Sequence, residues 1–224
     1  MRVNEQGRSM IEMLGVLAIV GVLSVGGIAG YSKAMAKFKA NKAIDQATMI
    51  TTNIRTLYAS QKSFRGLDNT LAKNTNAIPA EMFDNASDSV IKNAFGGKVV
   101  VESALNMSTD ADRPDAYVVA FDSIPQAACV TMATTDWGGD AGSGFVYMAV
   151  MGEDDAADAS AAITKAEDEI ASTPTAHVNE LTTPGIKFAV PGAADEDTSS
   201  PMSVLAATSA CYSKANNSFV WKYI

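Results

Sequence analysis

The carboxylate placed where it could act alone is Glu12. It stands at the front of residues 13–32, which carry no charged side chain. A carboxylate costs roughly 2.5–3.5 kcal/mol at the centre of a membrane and less toward its surface, so one in this place calls for a cationic partner. Arg8, four residues earlier, is the one base at helical spacing; a free amine made by cleavage nearby is the alternative. Cys129 and Cys211, 82 positions apart, offer a second chemistry. As a bridge in an oxidising compartment they would close most of the C-terminal half and stabilise it by roughly 4–5 kcal/mol in the chain-entropy picture. As free thiols they would simply be buried. As a nucleophile, either would need a base. His177 is the single histidine, and its Thr173-Pro174-Thr175-Ala176-His177 context carries no supporting motif.

The remaining clusters say less. Glu153-Asp154-Asp155 with Asp158, and Glu167-Asp168-Glu169, could ligate calcium, but they lack the regular ligand spacing and glycine of an EF-hand, and a solvated acidic surface is the simpler expectation. Residues 138–144 are glycine-rich without the Lys-Ser/Thr that a phosphate loop requires, which predicts a turn. One histidine and two cysteines exclude a His-based metal cluster and a four-thiolate zinc site within the chain. No cofactor or metal is expected, and no enzyme.

Charge excludes another class. The 224 residues hold 17 basic and 25 acidic side chains, net −8, whereas a general nucleic-acid binder should be basic. The charge is also divided: residues 1–65 carry nine basic and three acidic side chains, net +6, and the rest is −14. Such a split either favours stem-to-head packing between copies or is merely solvated.

The elements that must position these groups begin with the uncharged run. Twenty residues make a helix of about 30 Å, the thickness of a bilayer core. A secretory signal would have a shorter apolar core and a cleavage site after it. Small residues at 24–30 resemble such a site, but the helical pattern continues beyond them without a break. Ala36, Ala40, Ala43, Ile44, Ala47, Ile50, Ile54, Leu57 and Tyr58 then recur at steps of three and four, with Lys37, Asp45, Thr48, Thr52 and Arg55 off that stripe. The stripe is too Ala-rich for a coiled-coil seam and suits a stem packed on its own head. Residues 9–61 are thus predicted as one helix of about 80 Å. Its glycines, Gly21 among them, weaken the apolar half or let it pack closely.

From Gly66 onward the pattern changes. Short helices are expected at 78–82 and 87–94. Strands are expected at 99–101, 116–121, 128–132, 145–151, 187–190 and 218–224, the last with Phe219, Trp221 and Tyr223 on one face. A helix is expected over 201–213, with Ser199 or Ser200 as cap and Pro201 in its first turn. The fold class read from this order is α+β: a long N-terminal helix packed against a C-terminal antiparallel β-sheet head.

Gly7-Arg8-Ser9-Met10-Ile11-Glu12, followed by the apolar run, resembles the class III signal of type IV prepilins. The resemblance implies cleavage after Gly7 by a prepilin peptidase, leaving Arg8 as the new terminus. It places Glu12 at the fifth position of the mature chain, where the family's glutamate pairs with the terminal amine of a neighbouring subunit. Gly21 falls where such helices often carry a loosening glycine. Asn93-Ala94-Phe95-Gly96-Gly97 ahead of Val99-Val100-Val101 resembles the αβ-loop of type IVb pilins, and pilin heads commonly carry one bridge of the Cys129–Cys211 kind. Arg8 stands where an apolar residue is commoner, and the apolar run lacks a proline found in many pilins.

The resemblance implies a leader at 1–7, a transmembrane and filament-core helix half at 8–30, an amphipathic half at 31–64 and a globular head at 65–224. Its implied partners are further copies of the chain in a helical homopolymer, the peptidase, the membrane, and an inner-membrane assembly platform with its ATPase. No nucleic-acid partner is implied. Four lysines (Lys33, Lys37, Lys39, Lys42) follow the span and two arginines (Arg2, Arg8) precede it, which taken alone would put the C-terminal side in the cytoplasm. The acidic head and its cysteines favour the periplasm before assembly and the extracellular filament after it. A minor pilin or type II secretion pseudopilin is the near alternative. A membrane-anchored periplasmic binding protein is the alternative of another class.

Overall fold

The first element among the described residues is α1 (Met10–Tyr58), 49 residues that carry Glu12 in the first turn and Arg55 in the last. The computed structural model describes residues 10–84, 87–106, 110–138, 142–152, 154–172, 186–191, 199–212 and 216–224. The chain divides into two units, Met1–Phe38 and Lys39–Ile224. In the first, the described residues are helical and their large apolar side chains are exposed: Ile11 is 79%, Val22 75% and Val25 72% accessible. Among the described residues this is the one helix long and apolar enough to cross a membrane. A surface of that size stays soluble only when lipid or other protein covers it.

The second unit is an α+β head. After the last turns of α1 come α2 (Asn69–Asn74), a 3₁₀ turn (Ala80–Met82), β1 (Phe83–Asp84), β2 (Ser87–Ile91), β3 (Val99–Ala104), β4 (Ala116–Ile124), α3 (Gln126–Ala133), β5 (Phe145–Met151), α4 (Ala159–Ser172), β6 (Ile186–Ala189), α5 (Val204–Ala210) and β7 (Asn217–Tyr223). β1 and β2 form a small ribbon, and the main sheet runs β3-β4-β7-β5-β6 with every neighbour antiparallel. The last strand is therefore central: Trp221 pairs with Val119 on one side and Met148 on the other.

Alternation of side chains sorts the sheet into two faces. One face buries Val99, Val101, Tyr117, Val119, Phe121, Met148, Val150, Phe219, Trp221 and Tyr223 against Ala40, Ala43, Ala47, Ile50 and Ile54 of α1 and the Cys129–Cys211 pair. Small alanines let the helix approach closely, while Trp221 stacks with Phe219 and meets Phe121 edge-on. The other face buries Val118, Ala120, Tyr147, Ala149 and Val220 beneath Ala159, Ala162, Ile163 and Ala166 of α4.

The expected order of a long helix followed by an antiparallel sheet is present, and the strands at 99, 116, 145, 187 and 218 lie where the β-branched runs placed them. Four local expectations are corrected. Residues 87–94 do not form a helix: Ser87–Ile91 is a strand, and the alternation of half-buried Val90, buried Ile91, exposed Lys92 and buried Asn93 has a period of two. Residues 128–132 lie in α3, where Ala128, Cys129, Met132 and Ala133 share a buried helical face. The helix expected over 201–213 is only Val204–Ala210, and its cap is Ser203, whose hydroxyl accepts the Ala206 N–H, rather than Ser199 or Ser200. The acidic stretch is not a solvated surface alone, since α4 runs through it with Ala159, Ala162 and Ala166 buried.

Candidate functional site

Glu12 sits in the first turn of α1 and is exposed, with no ion-pair partner among the described residues. Gly21 lies within the helix, and a Cβ there would meet only open space. The helix around both presents side chains without covering atoms, so the unit offers a charge at one end of an apolar rod. Gly7, Arg8 and His177 lie outside the described residues.

The loop from Asn93 to Gly97 is built by one buried amide. The Asn93 side-chain oxygen accepts the N–H of Phe95 at 2.9 Å and of Gly97 at 3.2 Å, and its Nδ2 donates to the Asp122 carbonyl at 2.8 Å. Asn93 and Gly97 also pair through the backbone at 2.9 Å. Gly96 has φ +89°, a left-handed conformation that glycine adopts without penalty. At Gly97 a Cβ would stand 2.2 Å from the Asp122 carbonyl oxygen. The first glycine thus turns the chain, and the second lets it lie against β4.

Two further polar residues hold this loop. Gln46, 3% exposed on the packed face of α1, accepts the Ala94 N–H at 3.0 Å and donates to Glu81 at 3.3 Å. Asp122 accepts the N–H groups of Lys98 at 2.7 Å and Ala159 at 3.1 Å, together with the Ser123 hydroxyl at 2.9 Å. One carboxylate therefore ties the loop to the N-terminal end of α4. Beside it Lys98 pairs with Asp158 at 3.0 Å. The Asp158 carboxyl lies below its usual range because it accepts the Ala161 N–H and faces Lys98. Spacing could not reveal Gln46 or Asp122 as partners of the loop, although a lone amide on an otherwise apolar stripe was a signal for Gln46.

Cys129 and Cys211 are disulfide-bonded, fully buried, with Cα atoms 5.7 Å apart. The bond joins α3 to the end of α5. On the opposite face Lys222, almost fully buried, reaches the two Glu167 oxygens at 2.7 and 3.1 Å and the Leu105 carbonyl at 2.6 Å. The Tyr147 hydroxyl donates to the same carboxylate. Burial, then the Glu167 charge, pushes the Tyr147 phenol well above its ordinary value. Asp155 pairs with Lys165 at 3.2 Å and accepts the Tyr212 hydroxyl. Glu167 and Asp155, two members of the acidic clusters, are thus tied to lysines of the head. Among the described residues no three metal-ligating side chains gather. Gly138 and Gly144 have positive φ, and the Ser143 hydroxyl donates to the Gly138 carbonyl; residues 139–141, in the middle of the expected turn, lie outside the described residues.

Residues 33–190 match a protein-family model described as Bundlin. The chain belongs to the bundlin family. The bundlin match takes in the packed part of α1, the Asn93–Gly97 loop, Cys129 and α4. The chain is 34% identical over 134 residues to the major structural subunit of bundle-forming pilus from Escherichia coli O127:H6 (strain E2348/69, EPEC), and equally to that of Escherichia coli O111:H-. Each match covers 60% of this chain and 66% of the relative, just under two thirds of its length. Among solved structures, the type IVb pilin from Salmonella typhi aligns at TM-score 0.42 and 15% identity, over 84% of this chain and 98% of its own. TcpA, a type IV pilin from Vibrio cholerae El Tor biotype, aligns at 0.47 and 16%, over 84% and 99%.

Proposed function

We propose that this bundlin-family chain is a structural subunit of a type IVb-like pilus, with no catalytic role. The observation that carries the reading is the family match over 33–190 on a chain whose residues 13–32 are an uncharged, exposed helix. In this reading a prepilin peptidase removes residues 1–7 by cutting after Gly7. Residues 8–30 hold the subunit in the inner membrane with its head in the periplasm, and an assembly platform and ATPase then move it into the filament. The rod exchanges lipid for neighbouring rods, and in the aqueous filament roughly 25 cal/mol per Å2 of apolar surface kept from water opposes release of a subunit. Glu12 sets the register: its carboxylate is tolerable in an apolar filament core only beside a cation, and the amine at Arg8 of the adjacent copy supplies one. The 31–64 half carries the head, residues 65–224, at the outer surface, clamped by its disulfide.

Intact-mass spectrometry of protein from its native membrane tests processing. The expected mass begins at Arg8 and is two hydrogens short, as one disulfide requires. A mass beginning at Met1 with both thiols free, in cells with an active prepilin peptidase, overturns the reading. Glu12→Ala tests assembly: filaments should vanish while membrane-held subunit persists, and normal filaments would remove Glu12 from its role.

A further inference from the structure

Among the described residues, two apolar features of the head are left uncovered. The first projects. On α5, Val204 is 69% and Leu205 78% exposed, more than any other large apolar side chain described in Lys39–Ile224. Thr208 and Tyr212 continue the same stripe and are also exposed. The Thr208 hydroxyl donates to the Val204 carbonyl at 2.7 Å, so its proton is engaged within the helix. The projection is held firmly. Cys211 is bonded to Cys129, the Met202 N–H donates to the Ala133 carbonyl at 3.1 Å, and the Tyr212 hydroxyl donates to Asp155.

The second feature is concave. Two shallow hollows of about 260 and 220 Å3 meet at Asn53 on the outer face of α1. Thr48, Met49, Thr52, Thr56 and Leu57 line them along the helix, and residues 75–77 close one end. Asn53 Nδ2 donates to the Ala77 carbonyl at 3.0 Å, and the Thr56 and Thr75 hydroxyls donate to backbone carbonyls at 2.9 and 2.8 Å. Asp45, at the other end, is the one charged side chain of the described lining. Small-molecule sites are concave volumes of roughly 300–1,000 Å3 with convergent polar groups. These hollows are smaller and suit protruding side chains.

Charge narrows the occupant. Residues 199–212, which hold the projection, contain no charged side chain, in a head whose residues 66–224 carry a net −14. Two such heads repel over most of their surfaces, and anionic lipid repels them equally. Repulsion is least where neither side is charged, as at the projection and along most of the groove. The two surfaces differ, so a contact between them is head-to-tail and does not close on itself. Each side offers about six exposed residues, below the roughly 20–30 of a standard interface. The contact is therefore weak between free copies and cohesive where copies are already held side by side.

We propose that Val204 and Leu205 of one copy seat in the α1 groove of a second copy, an open-ended contact that repeats along a filament. This deepens the pilus reading, from which it takes the side-by-side copies. The projection lies outside the 33–190 family match, which therefore does not supply it.

The test uses purified full chain in phosphatidylcholine vesicles, which need no peptidase, assembly platform or filament. Photo-crosslinking p-benzoylphenylalanine replaces Leu205. The expected adduct has twice the chain mass, joined to residues 45–57 or 75–77 of the second copy. V204E blocks the projection and T52E blocks the groove; both sites are exposed, and an unchanged melting temperature with the disulfide intact reports the fold. Added to the probe-bearing chain, either substitution should lower adduct yield roughly tenfold or more, because each places an unpaired charge in the contact. Mixing probe-bearing T52E with probe-free V204E should restore it, since one copy keeps the projection and the other keeps the groove. No adduct of doubled mass, an adduct with lipid alone, attachment to 199–212 or elsewhere on the second copy, or a mixture that fails to recover overturns the proposal. Failure here leaves cleavage after Gly7 and the role of Glu12 standing, and failure of those leaves this contact standing.

Discussion

At the scale of residues, the loop after β2 depends on Asn93 more than on the glycines beside it. Its side chain accepts two backbone N–H groups and donates to the Asp122 carbonyl from a buried position. Asn93→Ala removes all three bonds and strands buried backbone groups, each costing about 1 kcal/mol or more. The expected loss is about 2–3 kcal/mol, read as a lower urea midpoint with unchanged slope. A second residue carries pH dependence. Glu102, Val118, Lys222 and Tyr147 are cross-strand neighbours in one row beneath α4. Burial, then repulsion from Glu167, raises the Glu102 carboxyl above its ordinary value. The folded head therefore binds this proton more tightly than the unfolded chain, so the contribution to stability is complete below the unfolded value near 4.3 and is lost as pH rises through the folded value. Because solvent still reaches the side chain, the effect is small, about a few tenths of a kcal/mol. Glu102→Gln should raise the melting temperature slightly at pH 7 and leave it unchanged at pH 3.5. A decrease at pH 7 would contradict the sign.

At the scale of elements, the sheet must protect the outer edge of β3. Asn69 does this at the start of α2: its Nδ2 donates to the Val99 carbonyl at 3.0 Å and its Oδ1 accepts the Val101 N–H at 2.7 Å. Further along, the Ser103 N–H donates to Leu67 at 3.0 Å. A side-chain amide and one carbonyl thus stand where another strand would pair. An open edge is a template for other chains. Asn69→Ala should cost about 1–2 kcal/mol and increase light scattering of the head in mild denaturant. The edge also shows what a sequence conceals. β3, β4, β5 and β7 were legible because Val, Ile and aromatic residues alternate or cluster in them. α4 was not, because its buried face is mostly alanine, whose apolar signal is weak among carboxylates. The Ala-Cys-Val-Thr-Met run of α3 read as a strand, because its β-branched members outweighed a helical spacing visible only once Cys129 and Met132 are both known to be buried. Around the loop, Asn93, Phe95, Gly96 and Gly97 were singled out by a family resemblance, although Asn93 was expected in a helix, whereas Gln46 and Asp122 lie tens of positions away and come together only through the fold.

At the scale of the whole molecule, connectivity decides what the disulfide does. The loop closed by Cys129 and Cys211 contains β5, α4 and β6, while β3, β4 and β7 lie outside it. Yet β5 pairs along its length with β7, and β7 with β4, so the enclosed strands share one sheet with the unenclosed ones. α4, also enclosed, covers Val118 and Ala120 of β4 and Val220 of β7. The bond therefore cannot stabilise a separable subdomain; restricting the unfolded loop stabilises the sheet as a unit. Cys129→Ser should cost about 2–5 kcal/mol. Amide hydrogen exchange is the discriminating measurement: protection in β4, outside the loop, should fall by the same factor as protection in β5, inside it. Loss confined to 129–211 would mean that the head unfolds in parts. Equal loss would mean that a thiol–disulfide change at one buried site, far in sequence from the Asn93–Gly97 loop, sets the stability of every surface the head presents, because that loop is fastened to β4 through Asp122 and β4 is fastened to the enclosed strands through β7.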